Sequence, residues 1–212
     1  MTRAPDNGSS GHWRTVNDLE LPRTLVGALT SFHARGFHGT SIREIARLAD
    51  VQLPTLYYHH DNKEGMLVAL LRVGMDELLE RVGRAVAAAG DHPVARLSNL
   101  VEATVLHMTA RVELAGLDNE LRHIEKDNPH RLQYTAQRKE LQALLTSIIV
   151  DGVAIGLFDV GDDVEDTVRS ILGSTQAITT WFRRDGPNTP AELADRYSRI
   201  ALRTVGARPH AS

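Results

Sequence analysis

The chain has 212 residues, of which 42% are hydrophobic and 24% charged, a composition typical of globular proteins with one or two domains. It contains no cysteine, which excludes disulfide scaffolds, cysteine-ligated metal sites and thiol catalysis. The net charge of −3 does not by itself indicate nucleic-acid binding, for which a basic domain is the usual sign. No apolar run reaches the roughly 18 residues of a membrane span, and the first residues lack a signal-peptide core, so we expect a cytoplasmic protein with no membrane partner.

The apolar pattern predicts an all-α fold, because aromatic residues are scarce and apolar residues recur at steps of three and four. Ser41 with Glu44, and Thr189 with Glu192, have the spacing of capping boxes, which mark helix starts. The first 18 residues are polar and predict a disordered arm. Together the signals predict nine helices, over about 19–36, 41–49, 54–60, 63–89, from 93, 117–126, 130–152, 164–184 and 190–205.

Two short predicted helices between Thr40 and Lys63, joined by a tight turn, match a helix-turn-helix, whose second helix has the dimensions to enter the DNA major groove. Two short helices in an unrelated bundle are the alternative interpretation. Polar residues in the segment favour DNA, because Arg pairs with guanine, Gln with adenine, and Tyr, Thr and Lys with phosphates. The residues with the spacing of a small core between the helices are Ile42, Ile45, Ala46, Val51 and Leu56.

The segment TSIREIARLADVQLPTLYYHHDNKEGML (40–67) resembles the tetracycline-repressor (TetR) family of bacterial regulators. The family pattern has a Ser- or Thr-capped helix with Ile-Ala, a Gly-Val turn, Leu-Tyr-x-His-Phe and a Lys-Glu pair that opens the next helix. Two positions depart from it. Asp50 stands where the family usually has Gly, and Asp tolerates a left-handed turn better than most residues, so we expect the fold to survive. His60 stands where a Phe usually packs, and we expect it to loosen the recognition helix slightly.

The resemblance implies roles for individual residues of this segment. Arg43 would reach a base edge, Leu53 and Pro54 would contact thymine methyl groups, and Lys63 would contact a phosphate. For Tyr58, packing in the core is an equally open interpretation. The residues expected to bind DNA are Thr40, Ser41, Arg43, Gln52, Leu53, Pro54, Thr55, Tyr57, Tyr58, His59 and Lys63.

In the TetR family the helices after the DNA-binding domain form a ligand chamber and a dimer face, so the resemblance implies both here. A dimer would place two recognition helices on a near-palindromic operator. Closure of the monomer core is the alternative role for the apolar stripes of the last two predicted helices. Those stripes are Val164, Val168, Ile171, Leu172, Thr175, Ile178 and Phe182 on the eighth helix, and Leu193, Tyr197, Ile200 and Thr204 on the ninth.

Polar residues scattered among apolar helices predict a chamber for a small, largely apolar organic molecule. A packed core with polar surface residues is the alternative interpretation. The run from Thr180 to Pro187 resembles the C-terminal domain of a TetR subgroup in which several members respond to acyl-CoA thioesters, and Arg183 and Arg184 within it are available to phosphates. The residues expected to bind the ligand are Thr104, His107, Met108, Arg111, His123, Tyr134, Gln137, Gln176 and Trp181.

We therefore expect a sequence-specific DNA-binding regulator, a repressor that a small apolar ligand, such as an acyl-CoA, releases from its operator. An activator or a ligand-independent regulator is the alternative. No catalytic residue, cofactor or metal site is expected, and a helical enzyme or interaction protein is disfavoured, since phosphate-loop, Gly-x-Ser-x-Gly and His-Glu-x-x-His motifs are absent. The expected domains are an arm (1–18), a DNA-binding domain (19–65), a ligand-binding and dimerisation domain (66–206) and a tail (207–212).

Overall fold

The computed structural model describes residues 12–207, and this part of the chain contains nine α-helices and no β-strand, which confirms the all-α prediction. None of these helices is long and apolar enough to span a membrane. Two 3-10 helices cover His12–Arg14 and Gly116–His123. The α-helices are α1 (Arg23–Gly39), α2 (Ile42–Leu48), α3 (Leu53–His59), α4 (Lys63–Ala88), α5 (Pro93–Ala110), α6 (Val112–Ala115), α7 (Pro129–Ala154), α8 (Val164–Trp181) and α9 (Pro190–Thr204).

Local capping explains why several predicted helix starts are correct. Before α9, the Thr189 hydroxyl accepts the Glu192 N–H at 3.2 Å, and the Glu192 carboxylate accepts the Thr189 N–H at 2.9 Å. This is the capping box that the sequence predicts. Before α2, the Ser41 hydroxyl accepts the Glu44 N–H at 3.2 Å. Before α4, the Asn62 side chain accepts the Gly65 N–H at 2.7 Å. Each cap fixes the residue at which its helix begins.

The predicted sixth and eighth helices differ from the structure. The sixth begins earlier, as α6, and continues from Gly116 to His123 as a 3-10 helix, because glycine weakens the α conformation at that point. The eighth ends at Trp181 rather than near Arg184. The reason is that Phe182 leaves the helix with an extended backbone and places its side chain in the core.

Contacts within the chain define two compact units. The N-terminal unit comprises residues 18–77 and 111–140, and the C-terminal unit comprises residues 12–17, 78–110 and 141–207 of the described chain. Two long helices, α4 and α7, therefore contribute residues to both units. The domain boundary predicted after residue 65 falls within α4.

In the C-terminal unit, α5 packs against both α8 and α9 and forms the centre of the core. Most of the apolar stripe on α8, and Leu193 on α9, is no more than 4% exposed within the single chain. These side chains therefore close the core of the protomer, and the expectation that they form the dimer face is wrong. The stripe residues buried in this way are Val168, Ile171, Thr175, Ile178, Phe182 and Leu193.

The expectation of disorder is wrong for residues 12–17, while residues 1–11 lie outside the described chain. The Trp13 side chain is buried, and its carbonyl accepts a hydrogen bond of 2.6 Å from the buried guanidinium of Arg81. The guanidinium of Arg14 lies 3.9 Å from the centre of the indole ring. Burial of the indole ring, the hydrogen bond to the Trp13 carbonyl and the arginine over the ring face together fix this segment to the C-terminal unit.

The close approach of α1 to α2 at Gly27 generates a prediction about stability. A Cβ at Gly27 would lie 2.8 Å from both the Ile45 carbonyl oxygen and the Ala49 nitrogen, so Gly27→Ala should lower the free energy of unfolding by about 1–3 kcal/mol. Gly83→Ala is the matched control, because a Cβ there meets nothing within 4 Å, and it should stabilise α4 by about 0.5–1 kcal/mol. Thermal unfolding followed by circular dichroism measures both. Shifts of the same sign would contradict the packing.

Candidate nucleic-acid interface

The helix-turn-helix is held by a small core in the N-terminal unit, where α1 packs on α2 and α2 on α3. Ile45, Ala46 and Leu56 are buried, while Ile42 and Val51 are partly buried. The sequence prediction of these five residues as the core is confirmed. Because Leu56 is the one fully buried residue of α3, the other side chains of that helix face outward or lie at its edges.

The turn between α2 and α3 has the conformation that the sequence predicts. Within residues 12–207, Asp50 alone among non-glycine residues has a positive φ, of 52°. The Val51 N–H then donates to the Ala46 carbonyl at 3.1 Å, which closes the end of α2. Aspartate therefore fills a left-handed position where the TetR pattern has glycine.

The outward side of α3 presents polar and aromatic groups. Tyr58 is 85% exposed and lies edge-on to the His59 ring at 5.1 Å, and Tyr57 is 48% exposed. The alternative of core packing for Tyr58 is therefore wrong. The predicted DNA-binding side chains that the structure leaves exposed are Ser41, Arg43, Gln52, Pro54, Thr55, Tyr57, Tyr58 and His59.

The two arginines of α2 differ in their partners. Arg47 donates two hydrogen bonds, of 2.8 and 3.0 Å, to the Glu44 carboxylate, and this bonding, with the positive charges of Arg47 and Arg35, lowers the pKa of Glu44. Arg43, one turn earlier, is exposed and forms no ion pair within the part of the chain that the structure describes. Its guanidinium keeps all its donors for an external acceptor, which is what base reading requires.

Thr40 does not fit the role in DNA binding expected for its side chain. It is 4% exposed, and its hydroxyl donates to the Gly36 carbonyl at 2.8 Å while accepting from the Ser31 hydroxyl at 3.1 Å. The backbone at Gly36 has a φ of 70° and leaves the α conformation, so this carbonyl needs a donor from outside the regular helix. Thr40 supplies that donor and is a structural residue. Leu53, from the same predicted set, is partly buried.

Lys63 is also engaged within the protein. Its ammonium donates to the Phe37 carbonyl at 2.7 Å and to the Thr40 carbonyl at 3.1 Å, and it lies 4.4 Å from the centre of the Phe37 ring. Its predicted phosphate contact stays a prediction, and the geometry gives the side chain a second role inside the fold.

A cleft of about 360 Å³ lies between the start of α1 and α3. Arg23, which sequence reasoning missed, lines it together with Thr55, His59 and His60. His60 is half-buried, and burial, followed by the charge of His59, lowers its pKa. The imidazole stands where the family pattern has Phe, and it borders the cleft beside α3.

Known families match both parts of this arrangement. A family described as bacterial regulatory proteins of the tetR family matches residues 25–70, which contain the helix-turn-helix. A second, described as the Tetracyclin repressor-like C-terminal domain, matches residues 90–205. The chain belongs to the TetR family.

Individual TetR-family proteins resemble the chain over nearly its whole length. The transcriptional repressor KstR2 of Rhodococcus jostii is 29% identical over 213 residues, which is 99% of this chain and 100% of the relative. The structure of the ketosteroid transcriptional regulator KstR2 of Mycobacterium tuberculosis has a TM-score of 0.76 and 25% identity, covering 92% of this chain and 98% of that one. AibR, solved with isovaleryl coenzyme A and operator DNA, has a TM-score of 0.73 and 26% identity, covering 87% and 97%.

The predicted ligand-binding residues of this TetR-family protein are divided between the two units. In the C-terminal unit, Thr104, His107 and Met108 are buried on α5, and the Thr104 hydroxyl donates to the Leu100 carbonyl. Trp181, at the end of α8, is 42% exposed. Gln176 is partly buried on the same helix.

In the N-terminal unit, the predicted ligand-binding residues are bonded to neighbouring side chains. Arg111 makes a two-pronged ion pair with Glu77, at 2.8 and 2.9 Å. The buried Tyr134 donates its hydroxyl to Asp118 at 2.8 Å, and burial, with the Asp118 charge, strongly raises the pKa of Tyr134. A ligand would have to compete with these partners, so Arg111 and Tyr134 fit a role in shaping a site better than a role in charge recognition.

Two further residues of that set have distinct surroundings. The Gln137 amide donates to Asp76, and its oxygen is buried with no hydrogen-bond partner among the described residues. The His123 ring meets the His38 ring edge-on at 4.2 Å, which joins the 3-10 helix to the end of α1. Ligand binding by these residues stays a prediction.

The exposed Arg43 generates a prediction about sequence discrimination. Arg43→Ala should reduce the preference for operator over unrelated DNA by roughly 1–3 kcal/mol for each copy of Arg43 bound to a base, because a base-reading arginine contributes about that much per contact. Arg84→Ala is the control, since it removes another exposed arginine, this one from the C-terminal unit. Fluorescence anisotropy with specific and scrambled duplexes measures the ratio. A preference lost equally in both variants, or in neither, would contradict the assignment.

Proposed function

We propose that the protein is a homodimeric transcriptional repressor that reads a near-palindromic operator with α3 and is released from it by an acyl-CoA thioester. The observation that carries the DNA-binding part is the exposed face of α3, where Thr55, Tyr58 and His59 project from a helix anchored through Leu56. A helix presented in this way fits the major groove, and its tyrosine and threonine hydroxyls suit phosphate and base contacts.

Repression, rather than activation, is supported by the relatives. The Rhodococcus jostii protein named as a repressor matches 99% of this chain, so the sequence similarity extends over the C-terminal unit as well as the helix-turn-helix. A repressor of this kind would block access of the polymerase to DNA, which requires occupancy of an operator and no further enzymatic chemistry.

Dimerisation is supported by the outward face of α8. Ser170, Gly173, Ser174 and Ala177 are exposed at helical spacing, and Trp181 continues the same face. Small residues let two helices approach closely, and an exposed tryptophan at one end supplies apolar area that a partner would bury. The dimer face proposed here is therefore the small-residue side of α8, a different side from the stripe that the sequence suggested. The exposed Ile200 of α9 lines a small cavity together with Ser170 and Ser174 of this face.

The ligand class is supported by the likeness to AibR, whose structure holds isovaleryl coenzyme A together with operator DNA. An acyl-CoA joins an apolar acyl group to a phosphate-bearing nucleotide, so its site needs both apolar walls and cations. Arg183 and Arg184 are exposed directly after α8, and Arg184 donates to the Ala110 carbonyl at 3.0 Å. We assign the phosphates to this pair of arginines and the acyl chain to the apolar residues of α5.

Acyl-CoA should weaken operator binding, and the coupling should be reciprocal. A coupling free energy of about 1–3 kcal/mol corresponds to a roughly 5- to 150-fold loss of operator affinity. Isovaleryl-CoA, long-chain acyl-CoAs and a ketosteroid would be titrated against a complex with DNA from the gene's own upstream region, with free coenzyme A as the control. Calorimetry with and without DNA should give the same factor for the ligand. A ligand that binds equally well in both conditions is not the inducer, and a protein that shifts no upstream fragment is not this repressor.

The dimer face can be tested by adding charge to it. Ala177→Arg should give a monomer that no longer binds the operator, because a guanidinium would be buried at a close helix contact without a partner. Ala87→Arg, at another exposed alanine of the C-terminal unit, is the matched control and should stay dimeric. Light scattering at micromolar concentration measures both. A dimeric Ala177→Arg protein would show that α8 is not the interface.

A further inference from the structure

We propose that Lys63 is a positioning residue of the DNA-reading helices: its ammonium clamps the junction between α1 and α2 to the first residue of α4, in place of contacting a DNA phosphate. The inference rests on the proposed operator binding, and it assigns to Lys63 a task that acts through α2 and α3. All of its contacts lie within the N-terminal unit.

The contacts of Lys63 cross 26 residues of sequence and converge on one point. The Nζ atom donates to the Phe37 carbonyl at 2.7 Å and to the Thr40 carbonyl at 3.1 Å, and it lies 4.4 Å from the centre of the Phe37 ring. Charged donors to carbonyls are stronger than neutral ones, and partial burial strengthens them further. Two of the three N–H donors of the ammonium therefore have acceptors inside the protein, and an aromatic ring lies beside its charge.

The position of Lys63 in α4 requires such compensation. It is the first residue of a 26-residue helix, where the helix dipole is positive and a cation is disfavoured. Its acceptors, the Phe37 and Thr40 carbonyls, lie at the end of α1, and their oxygens carry partial negative charge that offsets this position of the cation. The Lys63 ammonium, which lies at the start of α4, therefore caps the C-terminal end of α1.

The junction needs this cap because α1 is interrupted just before it. At Gly36 the backbone leaves the α conformation, with a φ of 70° and a ψ of 170°, so the carbonyls that follow cannot continue the regular ladder. The Thr40 hydroxyl donates to the Gly36 carbonyl at 2.8 Å. The Phe37 carbonyl accepts a long bond of 3.4 Å from the Thr40 N–H, and Lys63 adds a second donor there and a donor to the Thr40 carbonyl. Two side chains thus fix a turn that glycine leaves free.

This turn sets the direction in which the DNA-reading helices begin. Only Ser41 separates Thr40 from α2, and α2 and α3 have seven residues each, too few to hold their orientation without tertiary contacts. If the ammonium moved to a phosphate, the partly buried Thr40 carbonyl would lose this donor and the Phe37 carbonyl would keep only the 3.4 Å bond from the Thr40 N–H, a cost that does not arise for a lysine with no contacts inside the protein. The clamp and the phosphate contact are therefore competing roles.

Chemical modification can separate the two roles, because the chain has no cysteine. In Lys63→Cys, alkylation with 2-bromoethylamine rebuilds a lysine-like ammonium at one site, and alkylation with 1-bromopropane gives a neutral side chain of the same length. The two proteins differ in one charged group. Wild-type protein, treated with each reagent, controls for reaction elsewhere.

The neutral form should bind the operator about tenfold more weakly than the ammonium form, with the same slope of log affinity against log salt. Each phosphate contact contributes about 0.9 to that slope, so a lost phosphate contact would flatten it while a lost clamp would not. In the protein without DNA, hydrogen exchange at the Thr40 and Ser41 amides should be faster in the neutral form. A variant that folds only after aminoethylation also supports the clamp.

A slope reduced in the neutral form by about 0.9 for each protomer, or about 1.8 for a bound dimer, overturns the inference, as do equal affinity and equal exchange in the two forms. If the wild-type protein binds no operator, the proposed function fails by itself, and the exchange measurement on the free protein still decides whether the clamp exists.

Discussion

The helices that face DNA cannot hold their own shape, and this constraint organises the N-terminal unit. Each of α2 and α3 has seven residues, and the few hydrogen bonds within so short a helix do not offset the free-energy cost of nucleating it. Both helices therefore depend on the residues against which they pack. Leu56 anchors α3, Ile45 anchors α2, and Gly27 lets α1 come within contact of the α2 backbone. Polar contacts then fix the two turns: Asp50 between α2 and α3, and the Thr40 and Lys63 bonds between α1 and α2. The exposed tyrosines and arginine owe their positions to these buried supports.

What the sequence predicts well is local. The start of α9 follows from Thr189 and Glu192, three residues apart, and the left-handed turn at Asp50 follows from the chemistry of one side chain in a recognisable pattern. Contacts between residues that are distant in the sequence cannot be predicted in this way. Nothing near Lys63 in sequence shows that its ammonium reaches carbonyls 23 and 26 residues earlier, and nothing near Thr40 shows that its hydroxyl is used at Gly36.

The C-terminal unit shows the same limit in another form. Helical periodicity identifies the apolar side of α8, but it does not say whether α5 of the same chain or a second protomer covers that side. Burial assigns it to α5, and the dimer face proposed above is therefore the small-residue side of α8. The predicted ligand-binding residues show the same limit, because the sequence does not reveal that Arg111 forms an ion pair with Glu77 in the fold. Polar residues among apolar ones therefore indicate a candidate ligand site. The hydrogen-bond and ion-pair partners of each polar side chain in the fold then determine whether that side chain can bind a ligand.

Two copies of this helix-turn-helix should read successive major grooves of one operator. Hydroxyl-radical footprinting of the gene's own upstream region, with purified protein at physiological salt, measures this binding mode. We expect two protected patches centred about one helical turn of DNA apart, or a multiple of it, related by a near-palindrome. Protection of a single patch, or protection that follows no sequence, would contradict this binding mode.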